Sequence, residues 1–468
     1  MFAATTDAAL ALTSQRRRVA RLALLAAAGI AAVEVVHTVR ILMAPVEQRR
    51  FPHGYVSKGI WAAYAYIRPL DRTSSDISPP LAAAERALRR DPQLYTEFNQ
   101  TGLCFIYPPT AAIELLPFGW VAGRAGMPRA VQLMDLLGRI CALVTVLIAL
   151  WFMRWALRGP RDWLVALVIL LAFFPIRWAL FCVNAQTLIS LFLAGAILAY
   201  VYSRGTLCGV LLGLATCLKP YLAPLVLFAL ARREWKVAAA AVVTGSALIL
   251  TGLLLLGFAP WEAYLRDVLP AASAGYAKWG NQSFLGLARR WAGDAQVWQL
   301  VPTSPGVTYF GWCAAAVSLV LAVLPRGYGL ATATKKAPDG STSSAEARSV
   351  PPALLFRGGD IGIAVLLATM ASPIAWDHYY GWAVVLFCIC LAAGRSLQAP
   401  LVFYVLLGVS YVLLATDWRP VAAGCPGPVS LLDSPKLLAA VLLLGITWHA
   451  CRRLHLRRST GVFSAART

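Results

Sequence analysis

The sequence predicts an all-α polytopic membrane protein, a bundle of about twelve transmembrane helices. Of 468 residues, 59% are hydrophobic and 13% charged, with mean hydropathy +0.66, whereas a soluble domain carries roughly 25% charged residues. The chain holds many separate apolar runs, each near the roughly 20 residues that a helix needs to cross a bilayer. Runs such as LLAAAGIAAVEVV and AAAAVVTGSALILTGLLLLGF lack the alternating polarity of barrel strands. Helices are then what satisfies the backbone in lipid.

Basic clusters set the topology, because Lys and Arg collect on cytoplasmic loops. They are Arg16 to Arg21, Arg154 to Arg161, Arg232 to Lys236, Arg326 to Lys336 with Arg348 and Arg357, Arg395, and Arg452 to Arg458. If all lie inside, the helices between them come in even numbers. The first span covers about 22–43; no clear small-residue cleavage site follows it, so it reads as a helix and not as a removed signal. Residues 45–125 form a large first extracytoplasmic loop. The end of that loop, 105–125, is broken by Pro108, Pro109 and Pro117. A span there would put Arg154 to Arg161 outside, so this end reads as juxtamembrane helix on the outer surface. Further spans fall near 131–153, 162–177, 186–202, 206–218, 221–231, 236–257, 306–325, 359–372, 379–394, 399–415 and 435–450. The short run 221–231 follows the Lys219–Pro220 break and also reads as a half-helix, which would change the parity. A second large outer loop covers 258–305, and 326–357, with KKAPDGSTSSAEARS inside it, reads as a disordered cytoplasmic linker. Residues 1–468 form one transmembrane domain.

The formal charge of +21 follows from this topology. A nucleic-acid binder would carry a basic soluble domain, and none is visible. The ten cysteines form no CxxC pair and no Cys/His metal spacing, and most sit in apolar runs as small hydrophobes. Cys104, Cys182 and Cys425 fall on outer segments, with nothing in the sequence to pair them.

Under this topology the unusual polar residues collect on the outer face. The first loop holds Asp71, Asp76, Asp91 and Tyr95, then Tyr107 before Pro108 and Pro109. Asn184 and Gln186 sit at a turn in FCVNAQ, and Lys219 precedes a proline in LKPY. The second loop carries Asn281, Gln282, Ser283, Arg289 and Arg290, and SPIAWDHYY at 372–380 lies outside again. Ionisable groups at membrane depth are costly and usually mark a site, so a cavity opening outward at the interface is expected. Most of the sixteen Trp and sixteen Tyr fit an interfacial aromatic belt; Trp279 and Trp376 also fit a sugar platform.

At these residues the chain resembles glycosyltransferase family 87 of the GT-C superfamily, which uses polyprenyl-phosphate sugars. That family includes mycobacterial mannosyltransferases of phosphatidylinositol mannosides and cell-wall arabinofuranosyltransferases. The resemblance runs from about 70 to 390 through SSDISPPLAAAERALRRDPQLY, FIYPP, the Asn/Gln turn, LKPY with RREWK, NQS and SPIAWDHYY. Each piece is weak alone; six in register are fairly specific. The chain departs from the pattern in reading NAQ where the family more often has Gly-Gln. It also has a long basic segment before Asp76, and Ile77, Ser78, Pro79 and Pro80 in place of an aromatic or apolar pair. The resemblance implies a GT-C-type bundle in a bacterial plasma membrane, with its active site on the extracytoplasmic face. It implies a sugar, mannose foremost, moved from a polyprenyl-phosphate donor to a glycolipid or glycan acceptor.

Such transfer needs a carboxylate to take the acceptor's proton and donors or cations to stabilise the leaving phosphate. Asp76, nineteen residues before Tyr95 as the family's acidic-to-Tyr spacing has it, is the candidate base; a helix N-cap is the plain alternative. Asp71 and Asp91 are its rivals, and Asp91 also fits a DP turn. Lys219 and His378 are candidates for the donor phosphate, although a lone Lys also snorkels and a lone His is often structural. Asn281, Gln282, Asn184, Gln186, Tyr107 and Asp377 are candidates for the sugar and acceptor, with loop turns and caps as the alternative. Tyr107 shapes the site and does not react. Arg177 and Arg289 are spare cations. No DxD-type motif stands in the outer loops, so no metal and no cofactor are expected. A flippase for lipid-linked sugars would instead show paired repeats and mid-membrane polar residues, and a non-catalytic GT-C-like protein would tolerate loss of Asp76.

Overall fold

The computed structural model describes residues 65–71, 73–74, 76–95, 105–154, 157, 159–294, 305–324, 352–417 and 427–459. The expected first span at 22–43, the loop before residue 65 and residues 326–351 of the linker lie outside the described residues. Those described form helices and turns, with an isolated bridge between Asn281 and Trp376 and no strand.

The first loop carries α1 (Ser78–Leu88), α2 (Pro109–Glu114) and α3 (Leu116–Ala125). Prolines in the first turns of all three fix where they start, and none is long enough to span a bilayer. Gly119 on α3 lets the two helices touch, because a Cβ there would lie 2.5 Å from the Ala84 backbone. The bundle proper begins with α4 (Met127–Met153), followed by α5 (Pro160–Leu171) and α6 (Phe174–Phe181), which are bent by 53°. Pro175 in the first turn of α6 accounts for the bend. Then come α7 (Gln186–Val201), α8 (Gly205–Leu218), a 3₁₀ turn at Pro220–Leu222 running into α9 (Pro224–Ala231), and α10 (Trp235–Leu256). The second loop forms α11 (Ala259–Ala263), a π turn (Tyr264–Val268), α12 (Leu269–Ser273) and α13 (Phe284–Trp291). The chain ends with α14 (Pro305–Val323), α15 (Pro352–Ala371), a 3₁₀ turn at Asp377–Tyr380, α16 (Ala383–Ser396), α17 (Leu401–Ala415) and α18 (Pro435–Ser459).

A helix thus stands at each expected span among the described residues. Six are long and apolar enough to cross a membrane, or seven with the bent pair counted. The helices Gln186–Val201, Gly205–Leu218, Pro220–Ala231 and Leu401–Ala415 are shorter. One boundary differs from expectation: α15 starts at Pro352, so the last turn assigned to the linker is helical. Leu355 and Phe356 are buried there, and Arg357 pairs with Glu234 at 3.0 Å.

The break at Lys219 is a reversal of the chain. Gly205 on α8 faces Lys236 on α10, Gly213 faces Thr244, and Cys217 faces Gly245. The paired positions advance together, so α8 and α10 run parallel and the segment between them runs back. The helices touch along Gly205, Gly209 and Gly213, a small-residue stripe of the kind that brings membrane helices together. A Cβ on Gly209 would lie 2.3 Å from the Val237 carbonyl oxygen.

The bundle has a basic end. Arg232 grips Asp360 at 2.9 and 3.1 Å and donates to the Val323 and Leu324 carbonyls at the end of α14. Arg357 donates to the Tyr200 carbonyl, and Arg154 to the Tyr202 hydroxyl. Buried charges are retained when paired and hydrogen-bonded in this way. Trp151 and Trp235 are exposed at the same end, as an interfacial belt requires. The opposite end gathers the polar residues described next.

Candidate active site

The site is organised by the turn between α6 and α7. Val183 takes the left-handed conformation at φ +47°, and the Asn184 N–H bonds the Ala179 carbonyl at 2.9 Å. The Asn184 Oδ1 accepts from the Gln186 N–H at 2.9 Å. That bond fixes the amide so that its Nδ2 donates to Asp76 Oδ2 at 3.0 Å.

Asp76 is held by its backbone from the same turn. Ser74 Oγ accepts from the N–H groups of Asp76 and Ile77 at 3.2 and 3.3 Å, and donates to the Cys182 carbonyl at 2.7 Å. The N-cap of α1 is Ile77. Further upstream the loop is tied to α4. Fully buried Asp135 accepts from Arg139 at 2.9 Å, from Arg68 at 3.4 Å and from the Asp71 N–H at 3.0 Å. Asp71 itself pairs with Arg68 at 3.3 Å and accepts from the Thr73 N–H. Asp91 accepts from the Gln93 N–H in its own turn. Of the three carboxylates, Asp76 is the one bonded to the Asn184 turn.

Lys219 stands at the end of α8, where Pro220 stops the helix. It is buried, and its Nζ donates to the Tyr379 hydroxyl. The ammonium lies 4.0 Å from the Tyr379 ring centre and 4.7 Å from that of Tyr107, a cation–π arrangement. Lys219 lies in the break, outside both flanking helices. Burial pushes its ammonium down to about 7, against the pull of the Asp76 carboxylate. Tyr107 is set by Tyr95, whose hydroxyl donates to the Tyr107 carbonyl at 2.8 Å, and by the stack Tyr95–Phe105–Tyr107 at 5.3 and 5.9 Å. Tyr221 stacks on Tyr379 at 5.6 Å, and Gln186 is buried close to the Tyr221 hydroxyl. His378 is buried with its ring edge-on to Tyr379 at 5.2 Å.

Asp76, Asn184, Gln186, Lys219, Tyr107 and His378 therefore gather around Tyr379 and Tyr221. Asp377 is also buried, and its charge acts on Arg290 and on Tyr380. Asn281 and Gln282 have other work. The Asn281 amide donates to the Tyr276 and Pro373 carbonyls and accepts from the Ala375 N–H. The Gln282 amide donates to the Asp433 carbonyl and accepts from the Lys436 N–H. Together they pin the second loop to the turn before α16 and to α18. Trp376 joins them, its ring 5.4 Å from Tyr276. Arg289 is paired with Asp294 at 2.7 Å, and Arg177 lies 6.0 Å from the Phe174 ring centre.

Tyr379, Tyr221, Ser74 and Asp135 were not singled out from the sequence. The two tyrosines stand inside SPIAWDHYY and LKPY, beside the residues that were. Asp135 carried its own signal, a carboxylate inside a 27-residue apolar helix.

A carboxylate anchored by an amide and a buried ammonium caged by aromatic rings share one end of an apolar helical bundle. That defines a polytopic membrane protein with a polar centre at one end of its bundle. The model of glycosyltransferase family 87 matches residues 105–338, half of the chain, and the chain belongs to glycosyltransferase family 87. It is a membrane glycosyltransferase. Tyr107, Asn184, Gln186, Lys219, Asn281 and Gln282 lie inside the matched stretch; Asp76, Asp377 and His378 lie outside it. No curated protein and no solved structure matches the chain.

Proposed function

We propose that the protein transfers a sugar, mannose foremost, from a polyprenyl-phosphate donor to a glycolipid or glycan acceptor on the extracytoplasmic face of a bacterial plasma membrane. The observation that carries this reading is the shared placement of Asp76 and Lys219, whose charges act on one another from segments 143 residues apart. Asp76 takes the proton from the acceptor hydroxyl as its oxygen attacks C1. The bond from C1 to the phosphate oxygen breaks, and its electron pair leaves with the lipid phosphate. A new glycosidic bond forms with inversion, as one direct displacement requires. Lys219, with the Tyr379 hydroxyl, stabilises the phosphate as negative charge develops, and His378 lies beside them for the same anion. Asn184 orients the base. Gln186 and Tyr107 shape the sugar's space, and Asn281, Gln282 and Asp377 hold the walls.

The test is a reconstituted assay with radiolabelled polyprenyl-phosphate mannose and extracted lipids. Asp76→Asn should lower the rate by about 10²–10⁴-fold, the usual contribution of a positioned base. A variant that folds and transfers mannose at the wild-type rate would remove Asp76 from the mechanism.

A further inference from the structure

The face of α4 that points away from the bundle exposes Leu133, Leu136, Ile140, Leu143 and Leu147 and ends on exposed Trp151. These positions recur every three or four residues, which is one side of a helix. Buried Asp135, and Gly138 against Thr187, lie on the other side. Leu133 and Trp151 stand eighteen positions apart, about 27 Å of helix, close to the roughly 30 Å of a bilayer's hydrocarbon. The stripe is therefore a lipid-facing surface, and its two ends mark the two headgroup levels. Trp151, with Arg154 over its ring at 3.5 Å, marks the level at the basic end. Exposed Arg129, one turn beyond Leu133 on the same face, marks the level at the end of the polar centre.

The topology does not call for arginine at this second level, because Lys and Arg gather at the other end. Arg124 joins Arg129 there. Gly126, at φ +87°, turns α3 directly into α4, and Arg124 in the last turn of α3 lies over the ring of exposed Trp120 at 5.6 Å. Arg129 donates to Gln132 at 3.0 Å. The sequence holds no carboxylate between Glu114 and Asp135, and Glu85 on α1, which lies against Gly123, is paired with Arg89.

We infer that Arg124 and Arg129, with Trp120, hold the phosphate of an anionic phospholipid of the surrounding bilayer, in the leaflet on the side of the polar centre. Two guanidinium groups and an indole at phosphate level, above an apolar stripe, match a molecule that is anionic at its head and hydrocarbon below it. Bulk lipid fits this place better than the acceptor does. The patch faces outward, whereas the Asn184 turn that holds Asp76 packs on the opposite face of α4, through Thr187 and Gly138. The headgroup bridges α3 and α4 over a small core that includes Ile77, Leu81, Met134 and Val183. It thereby steadies the two segments that carry Asp76 and Asn184.

Two measurements on the full-length protein test this, and neither needs turnover. The first is photolabelling in phosphatidylcholine nanodiscs that contain phosphatidylglycerol with a diazirine beside its headgroup. Label should enter the peptide 115–134. A basic residue at an anionic surface is worth about fivefold in binding. Replacing both, Arg124→Gln with Arg129→Gln, should therefore raise the phosphatidylglycerol fraction that gives half-maximal label on the order of 25-fold. Equal label from phosphatidylcholine carrying the same diazirine, or unchanged label in the double variant, overturns the assignment. The second is the melting temperature in detergent. Both side chains are exposed, so the double variant should melt with the wild type when no lipid is added. Added phosphatidylglycerol, and not phosphatidylcholine, should raise the wild-type value, and high salt should remove the increment. The double variant should show none; an equal increment in both proteins refutes the site. Label displaced by extracted glycolipid but not by the same amount of unlabelled phosphatidylglycerol would give the patch to the acceptor and overturn its assignment to bulk lipid.

Discussion

Asn184→Asp separates a residue that orients a base from one that only builds a turn. The substitution keeps the oxygen that accepts from the Gln186 N–H, so the local turn is retained. It replaces the Nδ2 that donates to Asp76 at 3.0 Å by a second carboxylate oxygen. A hydrogen bond to a charged group contributes about 1.5–3 kcal/mol, so its loss predicts roughly a 10–150-fold drop in kcat. The pH profile carries the second signature. Two carboxylates in contact resist ionising together, so the pair takes up a proton more readily than Asp76 does alone. A base works ionised; the acid limb of the profile must therefore move to higher pH. The deficit is then largest at low pH and shrinks as pH rises, with each unit of displacement worth about tenfold. The assay is kcat against pH with saturating donor and acceptor, beside a melting curve in detergent. A variant with wild-type stability, rate and profile would refute the claim that Asn184 acts through Asp76.

Two further outcomes follow from other parts of the structure. Free Lys219 loses its proton near pH 7, and a neutral amine holds a phosphate poorly, so KM for the donor should rise about tenfold per unit above that pH; Lys219→Arg, charged throughout, should flatten this dependence. Gly209→Leu forces side-chain atoms into the Val237 carbonyl, where even a Cβ would stand at 2.3 Å; overpacking of this kind costs about 1–3 kcal/mol, measurable as a lowered melting temperature in detergent, whereas Gly245→Leu, with its nearest contact at 3.7 Å, should cost less.

The sequence alone determined the helical membrane class, the position of each described apolar segment, and the two ends to which basic clusters and polar motifs belong. These are sums over neighbouring residues: twenty apolar side chains in a row make a span wherever the rest of the chain lies, and prolines at 79, 80, 109 and 117 start or stop helices locally. Tertiary structure decided what each polar group touches. Asp71 is a rival to Asp76 in sequence, yet it is bound into the Arg68–Asp135 tether, whereas Asp76 meets Asn184, 108 residues away. Asn281 and Gln282 read in sequence as candidates for the sugar and acceptor or as turn and cap residues, and the structure bonds them to backbone groups of Pro373, Ala375, Asp433 and Lys436. The reversal at Lys219 was open in sequence because a short apolar run fits either a half-helix or a returning one; the parallel contact of α8 and α10 settles it. A hydrogen bond depends on two positions and an angle, and when its partners lie a hundred residues apart only the packing of the helices between them sets those quantities.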